Sequence, residues 1–353
     1  MPGAFGADAG GSEEGIGESV ARALAEYVRW GITGIVEPGV SPGICRAYQG
    51  LRSRGELPVR VCLMPNWHGF PLEQDEERMD RLLDDMGFHT GFGDEWLGLG
   101  GLKMAIDGGL TSKTALLSWP YRGEDRPREV ELRLDPDRLK GWVWAAHRAG
   151  WSVGIHVVGD ISQDMAVEAI WEAQRHDPRS HRHQVIHGYY PTERALKMMS
   201  GARIIAAVQP SFIYGEADGY PDLLDKEKQE SFLPLKSYLE AGVTVALSSD
   251  MPSAHFNPFW GLYSAVTRRG MNGHQLGSGE AVSAAEGLRM MTHNNAYLTG
   301  EEDLKGSLEP GKLADLVILD RDILRVRPEE IRDTAVCATM VGGWMAFDEG
   351  MRP

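Results

Sequence analysis

The sequence has little cysteine, no long apolar run and a shortage of positive charge. Its three cysteines, Cys45, Cys62 and Cys337, are scattered over 353 residues. An odd and widely spaced set makes neither a disulfide framework nor a zinc knuckle, and it fits a reducing cytoplasm. No apolar stretch approaches the ~18–20 residues that a membrane helix needs. No charged-then-apolar leader precedes a small-residue cleavage site, so no secretory signal is expected. Lysine and arginine number 36 against 51 aspartates and glutamates, a net charge of −15. Such a surface repels phosphate backbones and anionic lipids, which excludes nucleic acid and membranes as expected partners.

What is present is enough for a large core. The hydrophobic fraction is 42% and the charged fraction 25%, ordinary for a globular chain. The length allows roughly two domains of ~150 residues, or one α/β barrel of ~250 residues with an appendage. Residues 1–17 hold six glycines and little to bury, so 1–18 reads as a flexible leader. From Ser19 onward Val20, Leu24, Tyr27 and Val28 recur at helical spacing, and Gly31 follows as a stop.

A repeated unit then sets in. Short apolar runs rich in β-branched residues cover Gly31–Glu37, Val59–Met64, Gly101–Asp107, Ser152–Gly159, His183–Gly188, Arg203–Pro210 and Thr244–Asp250. Helical patterns such as Pro136–Ala149, Ile161–Gln174 and Phe232–Ala241 lie between them. Near-continuous apolar strands alternating with helices mean parallel βαβ units, and many such units favour a TIM-type barrel. Seven strands are countable where a closed barrel needs eight, and the chain opens with a helix, so the first is the one lacking. Further helices are expected over Pro258–Arg268 and Ser283–Thr299, then strands in Gly306–Asp320 and Thr334–Phe347. The expected organisation is an α/β (β/α)8 barrel lacking its first strand over 19–304 and a small β-sandwich remnant over 305–353.

Active sites of such barrels lie at the C-terminal ends of the strands. Lys103 lies inside one apolar strand, His156 in the next, His187 at the end of the following one, and Asp250 closes the last. A buried lysine needs a partner or a modification. Two imidazoles and a carboxylate at one mouth form a donor set for a divalent metal. Each residue alone is ordinary; the ordered set is what is specific.

At these residues the chain resembles the amidohydrolase superfamily, in the branch that includes N-substituted formamide deformylase. The matching stretches are GLKMAIDGGLTSKTA (101–115), GIHVVGD (154–160), QVIHG (184–188), VQPSF (208–212), SSDMP (248–252) and GSLEPGKLADLVILDR (306–321). The last is specific to members with a β-sandwich appendage. The resemblance implies hydrolysis of a C–N bond in a small amide, formamide or cyclic amide, giving an acid and an amine. It implies divalent metal, zinc first, and Lys103 carboxylated by CO₂ as a bridging ligand. It implies His156 and His187 on the second metal, and Asp250 on the first and as general base. Its family pattern also supplies a His-x-His from a first strand and another half of the sandwich. Neither is found; the sole His-x-His, His181-Arg-His183, enters its strand from the other end of the barrel. The expectation is therefore a truncated gene, a fragment or a start codon assigned too late at Met1.

Smaller expectations complete the reading. His68, Gln209, Tyr214 and His255 follow strand ends and are candidate substrate contacts. Asp107 and Asp160 are expected either to orient histidines or to cap helices. His147, beside Trp142 and Trp144, is expected in outer-layer packing, while His89, His176, His274 and His293 receive no role. Homodimerisation would cover the open strand edges. Two rivals stand against a hydrolase: a non-catalytic remnant that binds a ligand or partner chain, and a metal-free barrel enzyme such as a sugar-phosphate isomerase. The loops after the last two strands, beginning Pro210-Ser-Phe-Ile-Tyr and Asp250-Met-Pro-Ser, lack the glycines that bind phosphate in such isomerases.

Overall fold

The computed structural model describes residues 13–66 and 76–350. Helix α1 (Glu13–Arg29) opens the chain, followed by β1 (Gly34–Val40), α2 (Pro42–Ser53), β2 (Arg60–Pro65) and α3 (Glu76–Asp85). Next come β3 (Leu97–Leu99), β4 (Leu102–Ala105), α4 (Pro136–Arg148), β5 (Val153–Val157) and α5 (Asp160–His176). The series continues with β6 (Gln184–His187), α6 (Glu193–Ala202) and β7 (Ile205–Val208). Short helices α7 (Ser211–Glu216), α8 (Tyr220–Leu223), α9 (Lys226–Glu230) and α10 (Leu235–Glu240) lead into β8 (Val245–Leu247). Helices α11 (Pro258–Thr267), α12 (Ala284–Met291) and α13 (His293–Thr299) precede β9 (Leu316–Leu319), β10 (Val336–Val341) and β11 (Trp344–Asp348). No described helix is long and apolar enough to cross a membrane.

All strands up to β8 pair in parallel, in the orders β1-β2-β3 and β4-β5-β6-β7-β8. The two sheets meet at Gly100-Gly101. A Cβ on Gly100 would lie 2.8 Å from the Cys62 Sγ, and one on Gly101 would lie 2.7 Å from the Ser152 carbonyl. Only glycine passes there, so the chain kinks and presents β3 to β2 and β4 to β5. Sequence reading began this strand at Gly101; β3 is an added segment without a β-branched signature. A parallel bridge from Asn66 to Lys103 joins the sheets at the level of the site.

One face of the sheet buries Leu102, Met104, Ile155, Val157, Val185, Ala206, Val208 and Val245 against the helices. The other face holds Ile186, Ile205, Ala207 and Ala246, and Val36 of β1 packs on the same cluster. The two ends of the sheet therefore curl toward each other in the manner of a TIM-type barrel. Among the described residues β1 and β8 do not pair with one another.

Helix α1 starts at Glu13, inside the stretch read as a flexible leader. Gly15 and Gly17 each weaken a helix by about 1 kcal/mol. Burial of Leu24 and Val28 against Tyr48, Leu51 and Val59 offsets this, which local propensity does not reveal. The C-terminal sheet, antiparallel in the order β11-β10-β9, packs on this helix, and the Thr339 hydroxyl donates to the Val28 carbonyl at 2.7 Å.

Arg60 clamps that sheet to the barrel. Its guanidinium is buried, forks onto Asp315 at 2.6 and 3.0 Å, donates to the Glu95 carbonyl at 3.0 Å and lies 4.6 Å from the Trp96 ring centroid. Asp315 also accepts the Gly342 N–H at 2.8 Å. Removing one partner of a buried pair leaves an uncompensated charge. Arg60→Met is expected to cost roughly 3–5 kcal/mol in urea unfolding, and Arg60→Met with Asp315→Leu should recover most of it. A single variant within 1 kcal/mol (a small fraction of that penalty) would show that the clamp is idle.

A second buried network lies at the N-terminal ends of the strands. The Val153 N–H donates to His183 Nδ1 at 3.0 Å, so His183 carries its proton on Nε2 and donates to His147 Nδ1 at 2.9 Å. His147 Nε2–H then donates to the Asp177 carbonyl at 2.7 Å, and His181 Nε2–H to the His147 carbonyl at 3.0 Å. His147 is thus a bonded core residue rather than outer-layer packing. Burial lowers the pKa of all three, with mutual repulsion adding to it for His181 and His183. Unfolding returns them to about 6.5, so below that value the unfolded state binds more protons. Stability is full above pH 6.5–7 (the ordinary imidazole range) and falls as pH drops, by up to ~1.4 kcal/mol per pH unit for each imidazole. Urea midpoints measured from pH 7.5 to 5 should show this decline, and a flat profile would contradict the network.

Candidate metal centre

Strand pairing brings the candidate residues to one end of the barrel. Lys103 pairs in register with Gly154, Ala105 with His156, and Val157 with His187. Leu102 and Met104 point outward into the helices, so strand alternation turns Lys103 inward. Alternation would carry His187 to the helix side, because Ile186 is an interior residue. A left-handed backbone at His187, φ 77°, reverses this and brings its ring to 4.4 Å from the His156 ring, centroid to centroid, at 77°. Asp250 also has a left-handed backbone, φ 62°. Such conformations in non-glycine residues cluster where function requires them.

Hydrogen bonds assign the tautomers. His156 Nε2 donates to the Gly108 carbonyl at 3.0 Å, which leaves Nδ1 as its lone-pair nitrogen. His187 Nδ1 faces Gln209 Oε1 at 2.8 Å. The Gln209 amide nitrogen donates to the Ala207 carbonyl at 2.9 Å and the Ser248 hydroxyl at 3.0 Å, so its oxygen must accept from His187. His187 therefore presents Nε2. Burial first, then the neighbouring cations, keeps both rings neutral: His187 is lowered to about 3 and His156 well below its ordinary value. Neutral imidazoles with the second nitrogen tied are the form that binds divalent metals.

Lys103 and Asp250 supply the electrostatic balance. Burial pulls Lys103 down to about 7, opposed by Asp250 and assisted by Arg133. Burial pushes Asp250 up to about 6, opposed by Lys103 and by a hydrogen bond from Ser253. A lysine near neutrality and a carboxylate near neutrality are suited to gaining and losing protons at physiological pH. The donor chemistry of His156, His187, Lys103 and Asp250 fits a divalent ion. Among the described residues, however, no three His, Cys, Asp or Glu side chains lie within common reach of one ion.

The chain belongs to the amidohydrolase family. The model for that family matches residues 6–347. Among curated proteins, Protein LONG AFTER FAR-RED 3 of Arabidopsis thaliana is 31% identical over 82% of this chain and 48% of its own length. N-substituted formamide deformylase of Arthrobacter pascens is 31% identical over 92% of this chain and 59% of its own. The chain thus spans about half the length of the curated relatives it matches. An uncharacterised metal-dependent hydrolase from Pyrococcus horikoshii shares the fold at a TM-score of 0.77 and 24% identity, over 91% of this chain and 63% of that one.

The other expected residues fall in different places. His68 lies outside the described residues. Gln209 is buried behind His187 with both ends of its amide engaged, which makes it an orienting group rather than a substrate contact. Tyr214 stacks on Trp260 at 4.7 Å and meets Tyr263 at 6.0 Å, against α11. His255 is exposed, with Phe256 at 4.9 Å, Trp260 at 4.3 Å and Trp30 at 6.1 Å. Asp160 starts α5 and accepts the Ser118 N–H at 2.9 Å and its hydroxyl. Asp107 is a hub, accepting from the N–H groups of Leu116, Val158 and Gly159 and from the Ser162 hydroxyl at 2.7–3.0 Å. Sequence reading did not foresee Arg133, whose N–H donates to the Ile106 carbonyl at 2.8 Å and whose charge acts on Lys103 and His156.

The tautomers are open to measurement. Long-range proton–nitrogen correlation on labelled protein at pH 6 should show His187 protonated on Nδ1 and His156 on Nε2. Gln209→Leu should release His187 into a tautomer mixture and leave His156 unchanged. The opposite tautomer at His187 in the unaltered chain would refute the network.

Proposed function

We propose that this chain is the hydrolytic body of an enzyme that cleaves C–N bonds in small amides, formamides or cyclic amides with a divalent ion, zinc first. The observation that carries this reading is the contact of two neutral imidazoles, each with one nitrogen tied by a hydrogen bond, at the end of the barrel that also holds Lys103 and Asp250. Family membership, a formamide deformylase relative and a metal-dependent hydrolase of the same fold support it. In this reading 19–304 form the barrel and 305–353 a portion of a β-sandwich.

His156 Nδ1 and His187 Nε2 would hold the ion, with Gly108 and Gln209 fixing the rings. When bound, such an ion supplies Lewis acidity and makes water nucleophilic at neutral pH. Lys103, neutral in part near pH 7, can add through Nζ to the carbon of CO₂ and release one N–H proton to water. The resulting carbamate oxygens would replace a buried ammonium with an anionic ligand. Asp250 accepts the proton of the attacking water and returns it to the leaving nitrogen, so that an acid and an amine depart. An Asp250 carboxyl held near 6 suits both transfers.

A second reading is a non-catalytic remnant that binds a ligand or partner chain. The observation that favours it is that, among the described residues, no group of three or more His, Cys, Asp or Glu side chains is placed to hold an ion.

Metal content and formate release from N-alkylformamides separate the two readings. The purified chain is expected to hold at least one zinc ion, and paired His156→Asn and His187→Asn should abolish that binding. Asp250→Asn should keep the ion on the imidazoles and lower kcat by about 10²–10⁴. Metal binding without any amide or formamide turnover would favour the remnant. Absence of binding at micromolar zinc would end the hydrolase reading.

A further inference from the structure

Among the described residues, one carboxylate beyond the metal-centre residues forms no ion pair. Glu216 lies at the end of α7, the helix that follows β7 on the side of the barrel where His187 and Asp250 sit. Phe212 lies one turn earlier on the same helical face, and its ring is 6.1 Å from the His187 ring. Tyr189 touches both, at 5.8 Å from His187 and 6.2 Å from Phe212. From Tyr189 the contacts run to Phe232 at 4.8 Å and on to Tyr220 at 4.7 Å. The Tyr220 hydroxyl donates to Glu216 Oε2 at 2.8 Å. A continuous run of buried aromatic contacts therefore joins the candidate metal centre to the phenol that bonds the Glu216 carboxylate.

That carboxylate is half-buried, and its partner is a neutral phenol. Among the described residues no Lys, Arg or His forms an ion pair with it, and Oε1 accepts no hydrogen bond. Burial raises its pKa, and the Tyr220 bond draws it back. Tyr189, raised well above its ordinary value chiefly by burial, also feels the charge of both Glu216 and Asp250. A half-desolvated anion without a counterion attracts a cation more strongly than one in open water, and aromatic rings add to that attraction.

We propose that Glu216 is a specificity-determining residue that selects substrates carrying a positively charged amine remote from the bond to be cleaved. This rests on the hydrolase reading above for its substrate, but the binding itself does not require turnover. Phe212 and Tyr189 would pack along the apolar linker between the reacting carbonyl and the ammonium group, and Glu216 Oε1 would accept from that group.

Two measurements test this. The first is equilibrium binding of n-butylammonium and of its neutral counterpart 1-butanol by calorimetry. The chain should prefer the ammonium, and Glu216→Gln, which keeps an acceptor for Tyr220, should weaken ammonium binding at least tenfold and leave the alcohol within twofold. Tyr220→Phe, which removes the phenol donor and keeps the ring, should not weaken ammonium binding. The second is the ratio of kcat/KM for N-(2-aminoethyl)formamide to that for the isosteric N-propylformamide. It should exceed ten and fall toward one in Glu216→Gln. Equal ammonium binding by the chain and its Glu216→Gln variant, or no ammonium preference in the unaltered chain, overturns the proposal even if both formamides are hydrolysed. Glu216-dependent ammonium binding with neither formamide hydrolysed upholds the cation site and counts against the hydrolase reading.

Discussion

The candidate centre depends on one buried carboxylate that touches neither histidine at hydrogen-bond distance. Asp107 stands past the end of β4 and gathers donors from the loop at Leu116, from the end of β5 and from the first turn of α5. Burial pushes its pKa up, while three backbone N–H bonds and the Ser162 hydroxyl draw it back. These bonds close the loop that begins at Gly108, and the Gly108 carbonyl then fixes His156. The nearest His156 nitrogen is 4.0 Å from the carboxylate, so Asp107 orients the imidazole through the backbone. Without this hub β4, β5 and α5 would have separate ends, and the His156 ring would lose its fixed direction.

On the opposite side of the pair, Gln209 gives His187 a direction of its own. The two rings are tied through different nitrogens, Nε2 in His156 and Nδ1 in His187. Each leaves one lone pair, and burial prevents both from protonating. Lys103 and Asp250 meet the same low dielectric from opposite signs. Each is driven toward its neutral form by burial and held toward its charged form by the other. A single environment thus keeps two imidazoles neutral and draws a lysine and a carboxylate toward titration near neutral pH.

Long-range polar contacts hold the frame around that centre. Arg60 ties β2 to Asp315 across 255 positions of sequence, and the bonded chain from Val153 through His183 and His147 to Asp177 ties α4 and α5 to the base of the sheet. Both are buried, so each is costly to leave half-made. They secure the N-terminal ends of the strands, opposite the end that holds the candidate centre.

The sequence by itself determined the parallel strands and the order of Lys103, His156, His187 and Asp250. Strands covered on both faces must be apolar throughout, and a lysine, two histidines and an aspartate stand out against such runs. The family motifs in 101–115 and 306–321 were legible for the same local reason. The structure decided what local pattern does not encode. The kink at Gly100-Gly101 depends on Cys62 and Ser152 from other strands. The inward turn of His187 depends on a left-handed residue at a position where alternation says otherwise. The setting of Gln209 depends on Ala207, Ser248 and His187 meeting around one amide, and that of Glu216 on Tyr220 being its bonded partner, with no ion pair among the described residues. Strand identity follows from neighbours in sequence; tautomer, counterion and orientation follow from neighbours in space, which only the packed chain brings together.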